Sequence, residues 1–240
     1  MQTITITYNQ ALSPSRIAAF KSHITRFEKE PIFHNHDKDQ NTMYQVPLVH
    51  YRSHNNQATL FGINEGAKAI ENSLKNKELI QSLNGIAFIE PLVQHNLKIL
   101  PDEQTIIYKI HKYIPFDAVK YLTYKTQHTI QEKIIFLEDQ IKIHLQNIPV
   151  LYNEPVNNID QLFLQIIDIN AINSVKVHQN NMLAFDMEIA SNFLLPDKMA
   201  LGKHTRMGFG WICDYTDNFH RKITSTKFNL ALKSKRISIL

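Results

Sequence analysis

Two hydrophobic periods alternate along this chain, and their order limits the fold more than any total does. Residues 2–8 alternate, with Ile4, Ile6 and Tyr8 on one face, the two-residue period of a half-buried strand. Ser13 and Pro14 then offer an N-cap and an N1 proline, and Ile17, Phe20, Ile24 and Phe27 recur at helical spacing. A loop with Pro31 and His34-Asn35-His36 precedes strands predicted over 46–51 and 58–63, joined by the turn-like Ser53-His54-Asn55-Asn56. A second helix is predicted over 65–74, and extended chain split by Pro91 over 86–100.

The succession then starts again. A strand is predicted over 105–114, and a helix over 131–148 carries Ile134, Leu137, Ile141, Leu145 and Ile148 on one stripe, with Pro149 as its stop. Further strands are predicted over 162–172, 175–178 and 183–189, a loop over 196–210, and extended chain from Trp211 and Ile212. Strand, helix, strands, helix, strand thus occurs roughly twice. This order predicts an α+β protein of two tandem ferredoxin-like (RRM-like) domains, with residues 1–102 as the first and 103–240 as the second. No sequence self-similarity accompanies the repetition, so the inference rests on element order.

Composition bounds the rest. A chain of 240 residues that is 43% hydrophobic can build one large core or two small ones. Cys213 is the single cysteine, which excludes an internal disulfide and a cysteine-rich zinc site. No apolar run approaches the ~18 residues of a membrane span, and the start lacks a basic n-region and an apolar h-region. These features predict a cytoplasmic protein without membrane contact. Residues 198–240 hold nine Lys/Arg against two Asp/Glu, whereas the remainder holds 17 against 20. A basic C-terminal region suits a polyanion, and equally a solvated tail.

Glycine is scarce, six in all, yet Gly202, Gly208 and Gly210 fall within nine residues that also hold Lys203, His204 and Arg206. Such a turn can aim backbone N–H groups at a phosphate, with the basic side chains adding charge. It can also be a tight hairpin beside a strand. The P-loop ending is absent, and the Gly-x-Gly closes the segment, unlike a dinucleotide fingerprint.

In context the segment resembles a family. Asn192-Phe193-Leu194-Leu195-Pro196-Asp197, then Leu201-Gly202-Lys203, then Gly208-Phe209-Gly210 is similar to the C-terminal signature of the CRISPR-associated endoribonucleases that process repeat RNA, within the RAMP superfamily. Phe33-His34-Asn35-His36, the run Tyr44-Gln45-Val46-Pro47-Leu48-Val49-His50-Tyr51-Arg52 and Ile63-Asn64-Glu65-Gly66 resemble the N-terminal half of the branch with an F-H-N-H loop. The two ends agree independently, and residues 75–185 carry no comparable motif.

The resemblance implies a metal-independent endoribonuclease without a cofactor, acting on CRISPR repeat RNA and delivering its product to interference-complex proteins. Attack of a 2′-hydroxyl on the adjacent phosphate leaves a 2′,3′-cyclic phosphate and a 5′-OH, and histidine suits the proton transfers. By resemblance, His36 is the general base or acid, His34 its reserve and Tyr44 the helper. The glycine segment (Gly202, Lys203, His204, Arg206, Gly208, Gly210) contacts RNA. Arg52, closing the 46–51 strand, is a further phosphate candidate, and Lys222, Lys227, Lys233, Lys235 and Arg236 line an RNA groove or guard a strand edge.

Blander readings stand beside these. Loop histidines are commonly solvated, and Tyr44 suits strand packing as well as catalysis. His34 and His36 have only Asp37 and Asp39 as nearby carboxylates, with no firm metal-ligand pattern. A non-catalytic RNA-binding module of the same fold is the alternative function, and both monomer and homodimer are compatible with the sequence.

Overall fold

The computed structural model describes residues 1–34, 46–101, 104–177 and 179–214. These form two compact units. The first comprises Met1–Asn96 with Ile148–Glu154 and Lys203–Gly210, and the second Leu97–Asn147 with Pro155–Gly202 and the described chain from Trp211.

The first unit contains strand β1 (Gln2–Ala11), helix α1 (Ile17–Phe27), β2 (Val49–His54), β3 (Gln57–Ile63), α2 (Glu65–Ser73), α3 (Lys77–Ser82) and β4 (Ile86–Gln94). Its sheet has the order β2-β3-β1-β4 with antiparallel neighbours, which is the ferredoxin-like arrangement. The alternation of β1 buries Ile4, Ile6 and Tyr8, and α1 lays Ile17, Phe20 and Ile24 on that face. Phe20 meets Tyr8 and Tyr51 edge-on, with ring centroids 6.3 and 5.9 Å apart. Asn55 and Asn56 turn β2 into β3 with φ of 49° and 60°, the left-handed pair that suits a two-residue hairpin. Pro91 lies in β4, an edge strand, where the register against β1 shifts between Thr3 and Thr5, so its missing N–H interrupts no inner ladder. Ser13 makes no capping bond. Its hydroxyl meets that of Ser15 at 3.0 Å, and Pro14–Arg16 form a three-residue turn ahead of α1.

The second unit contains β5 (Lys98–Ile99), β6 (Ile106–Tyr113), α4 (Ala118–Thr126), most of α5 (Ile130–Leu151), β7 (Leu164–Val177), β8 (Asn180–Ser191), β9 (Phe193–Leu194) and β10 (Trp211–Asp214). The main sheet runs β10-β6-β8-β7, the same strand order as in the first unit, and β5 pairs with β9. Among the described residues no α-helix joins β8 to β10. In chain order the 196–210 segment, with a short turn at Thr205–Met207, comes between β8 and β10, where a ferredoxin-like sequence has its second helix.

Three sequence expectations are corrected. Pro149 lies inside α5 and does not end it, because a proline near a helix end forfeits one N–H bond while the chain beyond still closes, with Tyr152 N–H on Ile148 O at 3.0 Å. The strands expected over 162–172 and 175–178 are one edge strand, β7. Asn173 and Ser174 pair with Ala184 and Leu183 of β8, and two register shifts earlier in the strand reset its alternation. Helix α4 was not foreseen. None of its residues is buried, so no apolar stripe marks it, and its start is fixed by Asp117 Oδ1 accepting from Lys120 N–H at 2.9 Å.

The N-F-L-L-P motif is a fastening of this unit. Asn192 is fully buried. Its Oδ1 accepts from Phe163 N–H at 2.8 Å and its Nδ2 donates to Gln161 O at 3.0 Å, while Leu100 N–H donates to its carbonyl at 2.7 Å. Tyr108 O–H donates to Phe193 O at 2.9 Å and accepts from Leu195 N–H at 3.1 Å. Trp211 is half-buried, stacked on His111 at 4.9 Å. Replacing Asn192 by Ala takes the partner from the Phe163 N–H and from the Gln161 carbonyl. The expected loss in urea unfolding is roughly 1–3 kcal/mol; a change below about 0.5 kcal/mol contradicts the fastening role.

Candidate functional site

The candidate site is built on β2, at the edge of the first sheet. Alternate residues of a strand face opposite ways, so Tyr51 points to the α1 side while His50 and Arg52 point to the other. Tyr51 O–H donates to the carbonyl of buried Phe33 at 2.8 Å. Phe33 closes the Pro31–Phe33 turn, and His34 follows, its N–H on Pro31 O at 2.9 Å. The ring of His34 is anchored as well, with Nε2 3.0 Å from Glu28 O. A carbonyl only accepts, so Nε2 carries a proton and donates it to Glu28 O.

The opposite direction from β2 reaches the glycine segment. His204 and Gly208, at φ 58° and 80°, bracket the turn Thr205–Met207, and Gly208 N–H closes it onto Thr205 O at 3.2 Å. His50 Nδ1–H donates to the same carbonyl at 3.1 Å. A Cβ on Gly208 would lie 2.9 Å from Ile17 Cδ1 and 3.2 Å from Tyr51 O, so glycine lets the turn sit close against α1 and β2. From this turn Arg206 Nη1 donates to His34 O. The histidine segment and the glycine segment, 172 residues apart at this bond, are thereby joined.

Cations gather here. Burial, and then the Arg52 guanidinium, push the His50 imidazole down to about 3 despite its bond to Thr205 O. His50 is therefore neutral at working pH. Burial lowers Arg206 from its ordinary value, and burial followed by repulsion from Arg206 lowers Lys21 on α1. Lys21 stands one helical turn after Ile17, the residue that Gly208 approaches. Arg52 is buried, its Cζ 4.7 Å from the Phe61 ring centroid. Burial raises the Tyr51 phenol well above its usual range, so it remains a hydrogen-bond donor.

Comparisons with known proteins bear on the family and the fold. Residues 1–90 match the model of the Cas6b N-terminal domain, and residues 101–215 that of the Cas6b C-terminal domain. The chain belongs to the Cas6b family. Its fold is similar to that in a crystal structure of Cas6b, at 17% identity and TM-score 0.75, over 89% of this chain and 98% of that one. It is also similar to a CRISPR RNA processing endoribonuclease Cas6b, at 15% identity and TM-score 0.68, over 89% and 100% of the two chains. Csf5, a type IV CRISPR-Cas Cas6 crRNA endonuclease, follows at 15% and 0.62, over 89% and 98%. No curated protein is similar enough in sequence to match. At such identities the likeness is one of fold, two ferredoxin-like domains.

In this Cas6b-family chain, His34 and Arg206 meet directly, whereas His36 and Tyr44 lie outside the described residues, as do Lys222, Lys227, Lys233, Lys235 and Arg236. Lys203, His204 and Arg206 are half-buried, and with Gly208 and Gly210 they count with the first unit, although the sequence reading put the glycine segment on the second. Gly202, at φ 84°, stays in the second unit, where a Cβ would sit 2.6 Å from Ile114 O. Arg52, a phosphate candidate from the sequence, is buried. Sequence reasoning missed Lys21, for which helical spacing from Ile17 was the only signal, and the link from His50 to Thr205, for which there was none. Among the described residues no cluster of His, Cys, Asp or Glu could hold a metal ion, and no helix is long and apolar enough to cross a membrane.

His50 makes stability pH-dependent. Its folded value lies below the unfolded one, so the unfolded chain takes up a proton that the folded chain refuses. The contribution is complete above about pH 6.5 and is lost as pH falls toward 3. By pH 5 the loss is about 2 kcal/mol. Urea unfolding at pH 7 and pH 5 should show His50→Gln losing less stability than wild type by about that amount; identical losses would contradict it.

Proposed function

We propose that this chain is an endoribonuclease that processes CRISPR repeat RNA, cutting by attack of a 2′-hydroxyl on the neighbouring phosphate without a metal. Membership of the Cas6b family and a fold shared with proteins described as CRISPR RNA processing endoribonucleases support the substrate and the class of reaction. The single observation that carries the reading is the bond from Arg206 to His34 O, which joins a cationic turn to the histidine segment.

The division of labour follows from chemistry. In-line attack needs a group to take the 2′-OH proton, a group to protonate the 5′ leaving oxygen, and positive charge beside the pentavalent phosphate. The Nε2 of His34 is committed to Glu28 O, which makes that residue an anchor and leaves His36, two residues on, as the proton-transfer group. Tyr44 is its helper. Arg206 and Lys21 supply charge to the phosphate, and Lys203 and His204 extend the contact along the RNA backbone. The neutral His50 adds no further charge. The products are a 2′,3′-cyclic phosphate and a 5′-OH, and the processed RNA passes to proteins of the interference complex.

The test is a cleavage assay in EDTA with repeat RNA, with binding measured in parallel. Wild type should cut once per repeat. His36→Ala should lose roughly 10²–10⁴ of the rate while retaining RNA, and His34→Ala should lose less. RNA with hydrogen in place of the 2′-OH upstream of the cut should bind intact. Cleavage of that substrate, or a requirement for divalent cation, defeats the mechanism. Tight binding without any cut assigns the chain to RNA binding alone.

A further inference from the structure

We propose that His50 is the positioning residue of this site: its Nδ1–H holds the Thr205 carbonyl and through that turn sets where Arg206 stands. The inference rests on the reading that Arg206 and the histidine segment form one active site.

Three observations carry it. First, the imidazole is fully buried on β2, 3.1 Å from Thr205 O and edge-on to Phe61 with centroids 5.9 Å apart, so both its ring and its donor are held. Second, Thr205 O is the carbonyl that also closes the turn by accepting from Gly208 N–H. One oxygen therefore takes a bond from within the turn and a bond from β2, and a shift of the turn along β2 breaks the second. Third, Arg206 is the next residue after Thr205. Its reach to His34 O is set by the backbone at 205, while the far side of the turn is stopped by Ile17 and Tyr51 at Gly208. Tyr51, next to His50 in β2, holds Phe33 beside His34. Adjacent residues of one strand thus set both ends of the Arg206–His34 bond.

A neutral donor is suited to this task. A lysine or arginine at position 50 would bury a further positive charge beside Arg52 and Arg206. The imidazole supplies one N–H without charge, held neutral chiefly by its burial.

The test uses the full-length protein and repeat RNA under single-turnover conditions, with amide hydrogen exchange at residues 205–208 in the RNA-free protein. His50→Leu removes the donor, and His50→Gln keeps an N–H of similar reach. His50→Leu should slow cleavage roughly ten-fold when Arg206 is present and by less than about two-fold in an Arg206→Ala background, since a positioning residue has nothing left to position. His50→Gln should recover most of the rate. Exchange at 205–208 should quicken in His50→Leu and return toward wild type in His50→Gln. An equal slowing in both backgrounds, or unchanged exchange in His50→Leu, overturns the proposal. If His50→Leu does not fold, His50→Asn, whose shorter amide falls short of the carbonyl, replaces it on the same criteria. If wild type does not cut, the catalytic reading fails by itself, and the exchange data still decide whether His50 fixes the turn.

Discussion

The site depends on the alternation of a single edge strand. A strand sends successive side chains to opposite sides, and in β2 that rule gives Tyr51 to one segment and His50 to another. Tyr51 secures the carbonyl of Phe33, and His50 secures that of Thr205. An edge strand has this freedom because one of its sides has no neighbouring strand, and here that side accommodates a turn made narrow by Gly208. A one-residue slip in the register of β2 would exchange the two directions and dissolve the link between His34 and Arg206.

The glycine segment has a different physical meaning from the one its composition suggests. A cluster of glycines beside basic residues invites the picture of a bare backbone wrapped on phosphate. Gly202 and Gly208 both carry positive φ, and at both a Cβ would strike protein: Ile114 and Tyr113 in one case, Ile17 and Tyr51 in the other. Their conformational freedom serves close packing within their respective units. Of the residues between them, Arg206 makes the bond to the histidine segment. The Asn192 motif likewise fastens β8, β9 and the neighbouring chain of the second unit. These motif residues hold neighbouring segments of their own unit together.

Much of the architecture was legible in advance, because hydrophobic period is a local property. The alternation at Ile4, Ile6 and Tyr8 and the stripe at Leu137, Ile141 and Leu145 gave their elements directly. The failures have local causes too. Helix α4 buries nothing and so leaves no stripe, and β7 looked like two strands because bulges and polar edge positions break an alternation without ending a ladder. The site was legible in its parts. His34 and Arg206 were named from motif and charge, but Lys21 looks like any lysine on an amphipathic helix, and nothing local marks Arg52 as buried.

By itself the sequence determined the α+β order, the two ferredoxin-like halves and the histidine and glycine segments that mark the family. These are carried by neighbours a few residues apart, whose spacing sets strand or helix without reference to the rest of the chain. Only the tertiary structure decided that the turn at Thr205 lies along β2, that His50 is a buried neutral donor, and that Arg206 ends on the carbonyl of His34. Those facts depend on which side of an edge strand is open and on how closely a glycine permits two backbones to approach. Both are set by packing between segments far apart in the chain, and no pattern within either segment encodes them.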